Sequence, residues 1–549
     1  MTNFTKYFGI PGSGKTETLL TNIEKLVDED IGIYDISYVT FSKPAAEDAI
    51  NRMKDRLIGE DKEPYFFGTI HAICKRLLAW DFGTEEEGYL RLESPFDRFK
   101  YLQGYDLTYP IINNNSQEIP ENVFSDYDLI NKTDEEKIFA VINWCNHRCV
   151  SLHNWRSSGI SFEYLDPNRV LDICKGWLEH KQENNLVAFD DMLLETLKEK
   201  LHPATHILFV DEFQDLSPLL YRVFMLWSKQ MDSVIVGGDD DQTIFSWAGA
   251  SPDFLLNLKA DVKVLNKSYR VPSNILMRAK NLIETVDVRQ PKEYQAVKQG
   301  GQFIYLNCPS FDDIVKHIPI GKTVYFLFRT NHLALKFCKS YLIPLGIPFS
   351  GLRKKTPLPN IWTRKLEEIR DAFLKINQGR PLRNWEVSRL LDLLPSCSKG
   401  KLDGYVRYGI KSWFKKEGHE QKKEWSIVDL LNRLFVKFPE WNSRTILSSI
   451  GNDYQVKAYL SNIQNKYYNL RAYNIKVGTL HSAKGLEANT VFVFNNHTSK
   501  TEAEMLDKGQ VVIDEEKRLY YVGMTRAMET LVVVDNFFDT YSFDLGVSN

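Results

Sequence analysis

Short apolar runs, each followed by turn residues and then a helix-period pattern, recur along this 549-residue chain. The first series is Lys6–Ile10, Ser37–Phe41, Ile207–Val210 and Ser233–Val236. A second comprises Val262–Leu265, Thr323–Phe328, Lys476–Leu480, Thr490–Phe494 and Thr530–Val534. Strand-like runs alternating with helical segments are the βα pattern of a parallel sheet covered by helices. Two long stretches look different. Residues 81–184 and 351–474 carry Trp, Tyr, Leu and charge at helical spacing, with few strand-like runs. The pattern predicts an α/β protein with two parallel-sheet cores, each interrupted by a mainly helical insertion. The first core takes residues 1–80 and 185–260, with the insertion 81–184. The second takes 261–350 and 475–549, with the insertion 351–474.

Composition narrows the class. An apolar fraction of 43% is that of a globular protein. No apolar run approaches the roughly 20 residues a membrane-spanning helix needs, so no membrane association is expected. Met1–Tyr7 lacks the charged and apolar regions of a signal peptide. Seven cysteines without framework spacing suit a reducing compartment, so the expected location is cytoplasmic; the lean, motif-dense chain adds the expectation of a bacterial or phage-infected cell. The net charge of -3 excludes a uniformly basic nucleic-acid binder but leaves room for a local groove. Charge is uneven: acids dominate from Asp81 to Ile142, and bases outnumber acids roughly twofold from Arg353 to Glu424.

Two segments carry phosphate chemistry. Gly9-Ile10-Pro11-Gly12-Ser13-Gly14-Lys15-Thr16 follows a strand-like run and precedes a helical one, the setting of a P-loop. Gly12, Ser13 and Gly14 let backbone N–H groups turn toward phosphate oxygens, Lys15 brings a cation to the β/γ-phosphates, and the Thr16 hydroxyl is placed for Mg²⁺. Glu17 adjoins the loop. His206 to Asp215 is an apolar strand ending in acids. Asp211, at the strand end, is the expected second Mg²⁺ ligand, and Glu212 the group that orients and deprotonates an attacking water.

With these segments the chain resembles the UvrD/PcrA/Rep family of superfamily 1 helicases, and further motifs follow in the family's order. They are Val39–Ala46, Gly68–His71, Ala188–Leu193, Asp211–Asp215, Gly237–Ala250, Asn266–Arg270, Gly478–Glu487 and Glu515–Ala527. The resemblance implies two RecA-like P-loop cores and an ATP- and Mg²⁺-dependent motor on single-stranded DNA and single-/double-strand junctions, moving 3′ to 5′. RNA is a weaker expectation. It implies that Gln242 senses the γ-phosphate and that Arg270 and Arg526 act as arginine fingers from the second core. Tyr269 would stack on the base, with Gly485 and Glu487 near the nucleotide. Phe41, Thr69, His71, Trp247, Thr479 and His481 would meet the strand, since stacking on aromatic rings holds bases whatever their identity. A replication, repair or defence protein is an expected partner. The alternative is a DNA-stimulated regulatory ATPase that does not unwind alone.

This sequence departs from the family pattern in places. Only Met1–Phe8 precede the P-loop and include no Gln, so adenine selectivity is expected to be relaxed. Ala248 follows Trp247 where the family has Arg. The strand-separating hairpin is expected to be shortened, with Phe537, Phe538 and Tyr541 as candidates for its aromatic. Tyr405–Lys416 interleaves aromatics with bases, fitting either a duplex grip or an amphipathic helix. Cys145, His147, Cys149 and His153 invite a zinc reading, but helical spacing turns His147 away from the other three, which favours a packed helix.

Overall fold

The computed structural model describes residues 2–41, 43–54, 64–80, 90–103, 105, 133–162, 165–319, 321–345, 347, 349–353, scattered positions from 372 to 425, and 474–546. The chain divides into two compact units. The first contains Met1–Gln302, Lys500–Thr525 and Leu545–Ser548; the second contains Phe303–Ser499 and Arg526–Asp544.

The first unit is built on a six-stranded sheet. Its strands are β1 (Asn3–Gly9), β2 (Ile36–Thr40), β3 (Phe67–Thr69), β4 (Ile207–Val210), β5 (Ser233–Gly238) and β6 (Asp261–Leu265), in the order β3-β2-β4-β5-β1-β6. Every pair is parallel. Both β2 and β4 are buried along their whole length, because helices cover both faces. One face holds Leu208, Val210, Phe213, Phe224 and Trp227; the other holds Tyr38, Phe67, Leu19 and Ile23. Each large apolar side chain buried this way contributes about 1.5–3 kcal/mol.

The run at Val262–Leu265 belongs to this sheet and not to the second core, since β6 pairs with β1 through Thr5↔Asp261 to Gly9↔Leu265. An apolar run announces a strand but not its sheet, and β6 is an edge strand with its first three residues exposed.

The described part of the first insertion is helical and has its own core. Helix α1 (Lys15–Asp28) follows the P-loop, whereas α2 (Asp134–Arg148) lies in the insertion, after a short helix over Pro95–Leu102. Helix α2 starts at a capping box, in which Thr133 and Glu136 satisfy each other's backbone N–H groups. Helix α3 (Pro167–Glu183) starts with Asp166 as cap and proline in the first turn. Ile138, Val141, Ile142, Cys145, Ile173 and Trp177 pack between them. Burial pushes the Cys145 thiol up to about 11 and Cys174 up to about 12, so both behave as small apolar fillers.

The second unit also carries a six-stranded sheet. Its strands are β7 (Gln302–Asn307), β8 (Thr323–Phe328), β9 (Ser350–Gly351), β10 (Asn474–Thr479), β11 (Ala488–Phe494) and β12 (Ala527–Asp535), ordered β7-β12-β11-β8-β10-β9. Its core is aromatic, with Phe326, Phe328, Phe337, Phe492 and Phe494 in mutual contact. Phe538 is buried here and Phe537 packs against it, so neither offers an exposed strand-separating ring; apolar burial is the stronger demand on both. Tyr541 is half exposed and stacks on His497. Most of 351–474, including Tyr405–Lys416, lies outside the described residues. Among the described residues, no helix is long and apolar enough to cross a membrane.

Candidate active site

In the first unit, ligand chemistry gathers at the carboxyl ends of β1, β4 and β5, where a parallel sheet opens its crevice. The loop after β1 turns tightly, with Gly12 at φ 71° and Gly14 at φ 75°. Side chains avoid this left-handed region, and space is also short. A Cβ at Gly9 would collide with Ser13 Oγ, and one at Gly12 would lie 2.6 Å from Arg270 Cβ. Helix α1 begins at Lys15, so its first N–H groups and the loop form one anion-binding cradle. Ser13 Oγ is buried there without a protein partner. The Lys15 ammonium, itself buried, donates to the Gly9 carbonyl at 2.9 Å. Glu17 is exposed and forms an ion pair with Arg52.

The acid side is built by β4. Thr16 Oγ1 donates to Asp211 Oδ2 at 2.5 Å, joining the two expected metal ligands directly. Tyr38 donates to the same oxygen at 3.2 Å. Burial, and secondarily the neighbouring Glu212 carboxylate, push the Asp211 pKa up to about 6. A buried carboxyl group that resists ionisation suits a divalent cation, and Asp211 with the Thr16 hydroxyl fits Mg²⁺. Glu212 holds φ at 53°, a conformation costing a non-glycine residue about 1–2 kcal/mol. The turn is fixed by its own N–H, which donates to Asp211 Oδ1 at 2.9 Å. Gln214 then reaches back, its amide donating to Glu212 Oε2 at 2.6 Å and its carbonyl accepting from the Asp239 N–H at 2.9 Å. Gln242 is buried and donates to Asp239 Oδ2 at 2.6 Å.

The turn after β6 lies against the P-loop. Ser268 Oγ donates to the Pro11 carbonyl at 2.7 Å, and the Tyr269 N–H donates to the Gly12 carbonyl at 2.9 Å. Tyr269 itself is 58% exposed. Arg270 therefore sits in the same unit as the P-loop, not in the second core where the sequence placed it; the strand before it belongs to the first sheet. In the second unit, Arg526 is buried just before β12, Gly485 takes φ 77°, and Glu487 is exposed.

The strand-facing candidates also divide between units. Phe41 lies at the end of β2, partly buried against the core. Thr69 is spent locally as the cap of the following helix, accepting from the Ala72 N–H at 3.2 Å. His71 meets the edge of Phe189, and burial pulls its pKa to about 4, so it is neutral near physiological pH. Trp247 is half-buried and packs edge-on against Phe245. In the second unit, Thr479 Oγ1 accepts from the Ser482 N–H at 3.2 Å, and His481 starts a single helical turn.

Arg148, at the end of α2, was not singled out in the sequence. Its guanidinium donates to the Ser246 carbonyl at 2.7 Å, fastening the Trp247 loop to the insertion helix beside Ala248. Only its position in the last turn of a helix, beside His147, could have pointed to it.

The ligand atoms of Cys145, His147, Cys149 and His153 do not converge on one point. Among the described residues, only Asp239, Asp240 and Asp241 bring three such ligand atoms together. Cys145 is core, and His147 pairs with the buried Asp190 at 3.3 Å. Burial pulls the His147 pKa down, yet Asp190 outweighs it and the net shift is upward; Asp190 is shifted downward in return. The histidine's contribution is present below its ordinary pKa and lost as pH rises through the folded value. The aspartate's is lost as pH falls through its own depressed value. Asp190→Asn should thus lower stability by about 1–3 kcal/mol in the mildly acidic range and by less in alkali. Thermal melting at about pH 6 and about pH 8 would test this, and equal losses would sink it.

Two parallel sheets, a P-loop and a metal-ready carboxylate pair at the first sheet's carboxyl edge define a P-loop nucleotide-binding protein with two RecA-like cores. Residues 8–263 match the UvrD/REP helicase N-terminal domain, and residues 363–536 match the UvrD-like helicase C-terminal domain. The chain belongs to the UvrD/PcrA family of superfamily 1. An ATP-dependent DNA helicase PcrA of Staphylococcus epidermidis is 27% identical over 350 residues, covering 58% of this chain and 45% of that protein. The chain thus matches less than half the length of that relative. A probable DNA helicase II homolog of Mycoplasma capricolum is 23% identical over 618 residues, covering 95% of this chain and 80% of its own. PcrA of Staphylococcus aureus strain MRSA252 is 23% identical over 604 residues, with the same coverage.

Proposed function

We propose that this protein is an ATP-dependent DNA helicase that translocates 3′ to 5′ on single-stranded DNA and acts at single-/double-strand junctions in the cytoplasm. The observation that carries the reading is the direct join of Thr16 to Asp211, with Glu212 held beside it by Gln214. P-loop N–H groups, Lys15 and Ser13 bind the phosphates. Mg²⁺, held by Thr16 and Asp211, would neutralise charge on the transferring phosphoryl group. Glu212 orients and deprotonates water, and Gln242, tied to Asp239, responds to the γ-phosphate. Tyr269 supplies a stacking face for the base and Arg270 a cation beside Gly12. Arg526 serves as the finger of the second unit, with Gly485 and Glu487 also assigned to the nucleotide. Family membership and the relatives' names support DNA as the substrate. Replication, repair or defence machinery is the partner class.

Phosphate release with and without single-stranded DNA, followed by unwinding of duplexes bearing 3′ or 5′ tails, tests this. Stimulation with unwinding from the 3′ tail alone is expected. Stimulation without unwinding would instead favour a regulatory ATPase, and stimulation by RNA alone would change the substrate. Trp247→Ala is expected to weaken strand binding by about 1–3 kcal/mol, the loss of one stacked base, while basal hydrolysis changes little. Unchanged strand-stimulated turnover would remove Trp247 from the strand path.

A further inference from the structure

Asp239, Asp240 and Asp241 follow β5 in succession and all are fully buried. Three adjacent buried carboxylates cannot stay ionised without counter-charge. The geometry is one that would suit a metal, but a side chain fills it. Lys292, itself wholly buried, places its ammonium 2.7 Å from Asp239, 2.5 Å from Asp240 and 2.9 Å from Asp241. Arg289 adds a two-pronged contact to Asp241 at 2.9 and 2.6 Å. The Gln290 N–H donates to Asp240 Oδ2 at 2.7 Å. Burial opposes the charge on Lys292, but the three aspartates outweigh it and hold the ammonium protonated.

The cage has two exits. Through Asp239 it reaches the hydrolytic side: the side chain of Asp239 accepts from Gln242, and its backbone N–H is fixed by Gln214, which holds Glu212. Through Asp241 it reaches Tyr294 at 3.1 Å, and Tyr294 in turn lies 3.3 Å from Tyr521, on the helix Gln510–Met524. All of these residues lie in the first unit. An ammonium with three donors contacts both routes at once, beside the Asp241 N–H that donates to Asp239 Oδ1 at 3.3 Å.

We propose that Lys292 is a positioning residue for hydrolysis: its ammonium replaces a metal ion at the centre of the three-aspartate cage and sets Gln242 and Glu212 through Asp239. The inference rests on the reading of Glu212 and Gln242 as the water-activating and γ-phosphate-sensing groups. A merely stabilising ion pair would affect melting alone. A positioning residue affects turnover with nucleotide affinity kept.

The full-length chain would be assayed as Lys292→Met and Lys292→Ala, beside Glu212→Gln. Lys292→Met is expected to lower strand-stimulated kcat about 10–100-fold with KM for ATP within about threefold, a split that marks loss of an interaction made in the transition state. Ethylamine supplied to Lys292→Ala, where its ammonium can re-enter the cage, is expected to restore kcat about fivefold or more in a saturable way; trimethylamine, too bulky for three contacts, is not. Wild-type kcat in folded Lys292→Met overturns the proposal, as does a fall in kcat matched by lost nucleotide binding. If Lys292→Met does not fold, Asp239→Asn reads the same link, since Lys292 keeps two carboxylates; an unchanged kcat there overturns it equally. Glu212→Gln separates the two readings. If that variant still hydrolyses ATP normally, the site assignment itself is wrong. If it is inactive while Lys292→Met is normal, only the positioning role falls.

Discussion

Lys15→Ala is expected to reduce ATP hydrolysis by about 10²–10³-fold, the loss typical when one charge-stabilising donor is removed from a transition state. The expectation comes from its setting. Lys15 is buried at the first turn of α1, and its ammonium already lies within the loop, on the Gly9 carbonyl. A cation in so dry a place acts on phosphate oxygens with little screening. The loop's shape depends on Gly12 and Gly14 and not on this side chain, so the variant should fold normally. Binding of single-stranded DNA, followed by fluorescence anisotropy, should stay within about twofold, because phosphate-loop charge is not part of the backbone-binding surface. Surviving hydrolysis would mean that the P-loop is not the catalytic nucleotide site.

Glu212→Gln should slow turnover by about 10²–10⁴-fold, the range attributed to a positioned general base. It should leave Mg²⁺-dependent nucleotide binding intact, because Thr16 and Asp211 are untouched and Gln214 can still hydrogen-bond the new amide. Filter binding of labelled ATP alongside single-turnover hydrolysis would separate the two steps. A variant that binds and hydrolyses like the parent would transfer the water-activating role elsewhere, and a variant that no longer binds would make Glu212 a ligand-site residue.

How much of this was legible beforehand depended on how local the chemistry is. The P-loop and Asp211-Glu212 are written in consecutive residues because backbone turns and a strand end create them, and the structure brings Thr16 and Asp211 into contact. Sheet membership is not local. Val262–Leu265 reads as a strand in any context, and only its pairing with β1 assigns it to the first sheet, carrying Tyr269 and Arg270 with it. Phe537 and Phe538 looked like exposed tools but fill the second core. Lys292 was hidden for the opposite reason, since Val288-Arg289-Gln290-Pro291-Lys292 reads as a solvated charged turn. The available clue lay elsewhere, in three successive aspartates after a buried strand, which demand positive charge from some distant part of the chain. Arg148 likewise acts on Ser246 across nearly a hundred residues of sequence.

The division of the chain bears on how it is made. The first unit includes Lys500–Thr525, so Asp514 and Tyr521, which meet the segment around Asp287 and Tyr294, leave the ribosome only after Phe303–Ser499 of the second unit has been synthesised. Domains generally fold as they emerge, but here the amino-terminal unit must stay open along that flank during most of translation. The aspartate–lysine cage is already complete once Lys292 has appeared, which gives the waiting half a buried, ion-paired anchor on which the late helix can dock.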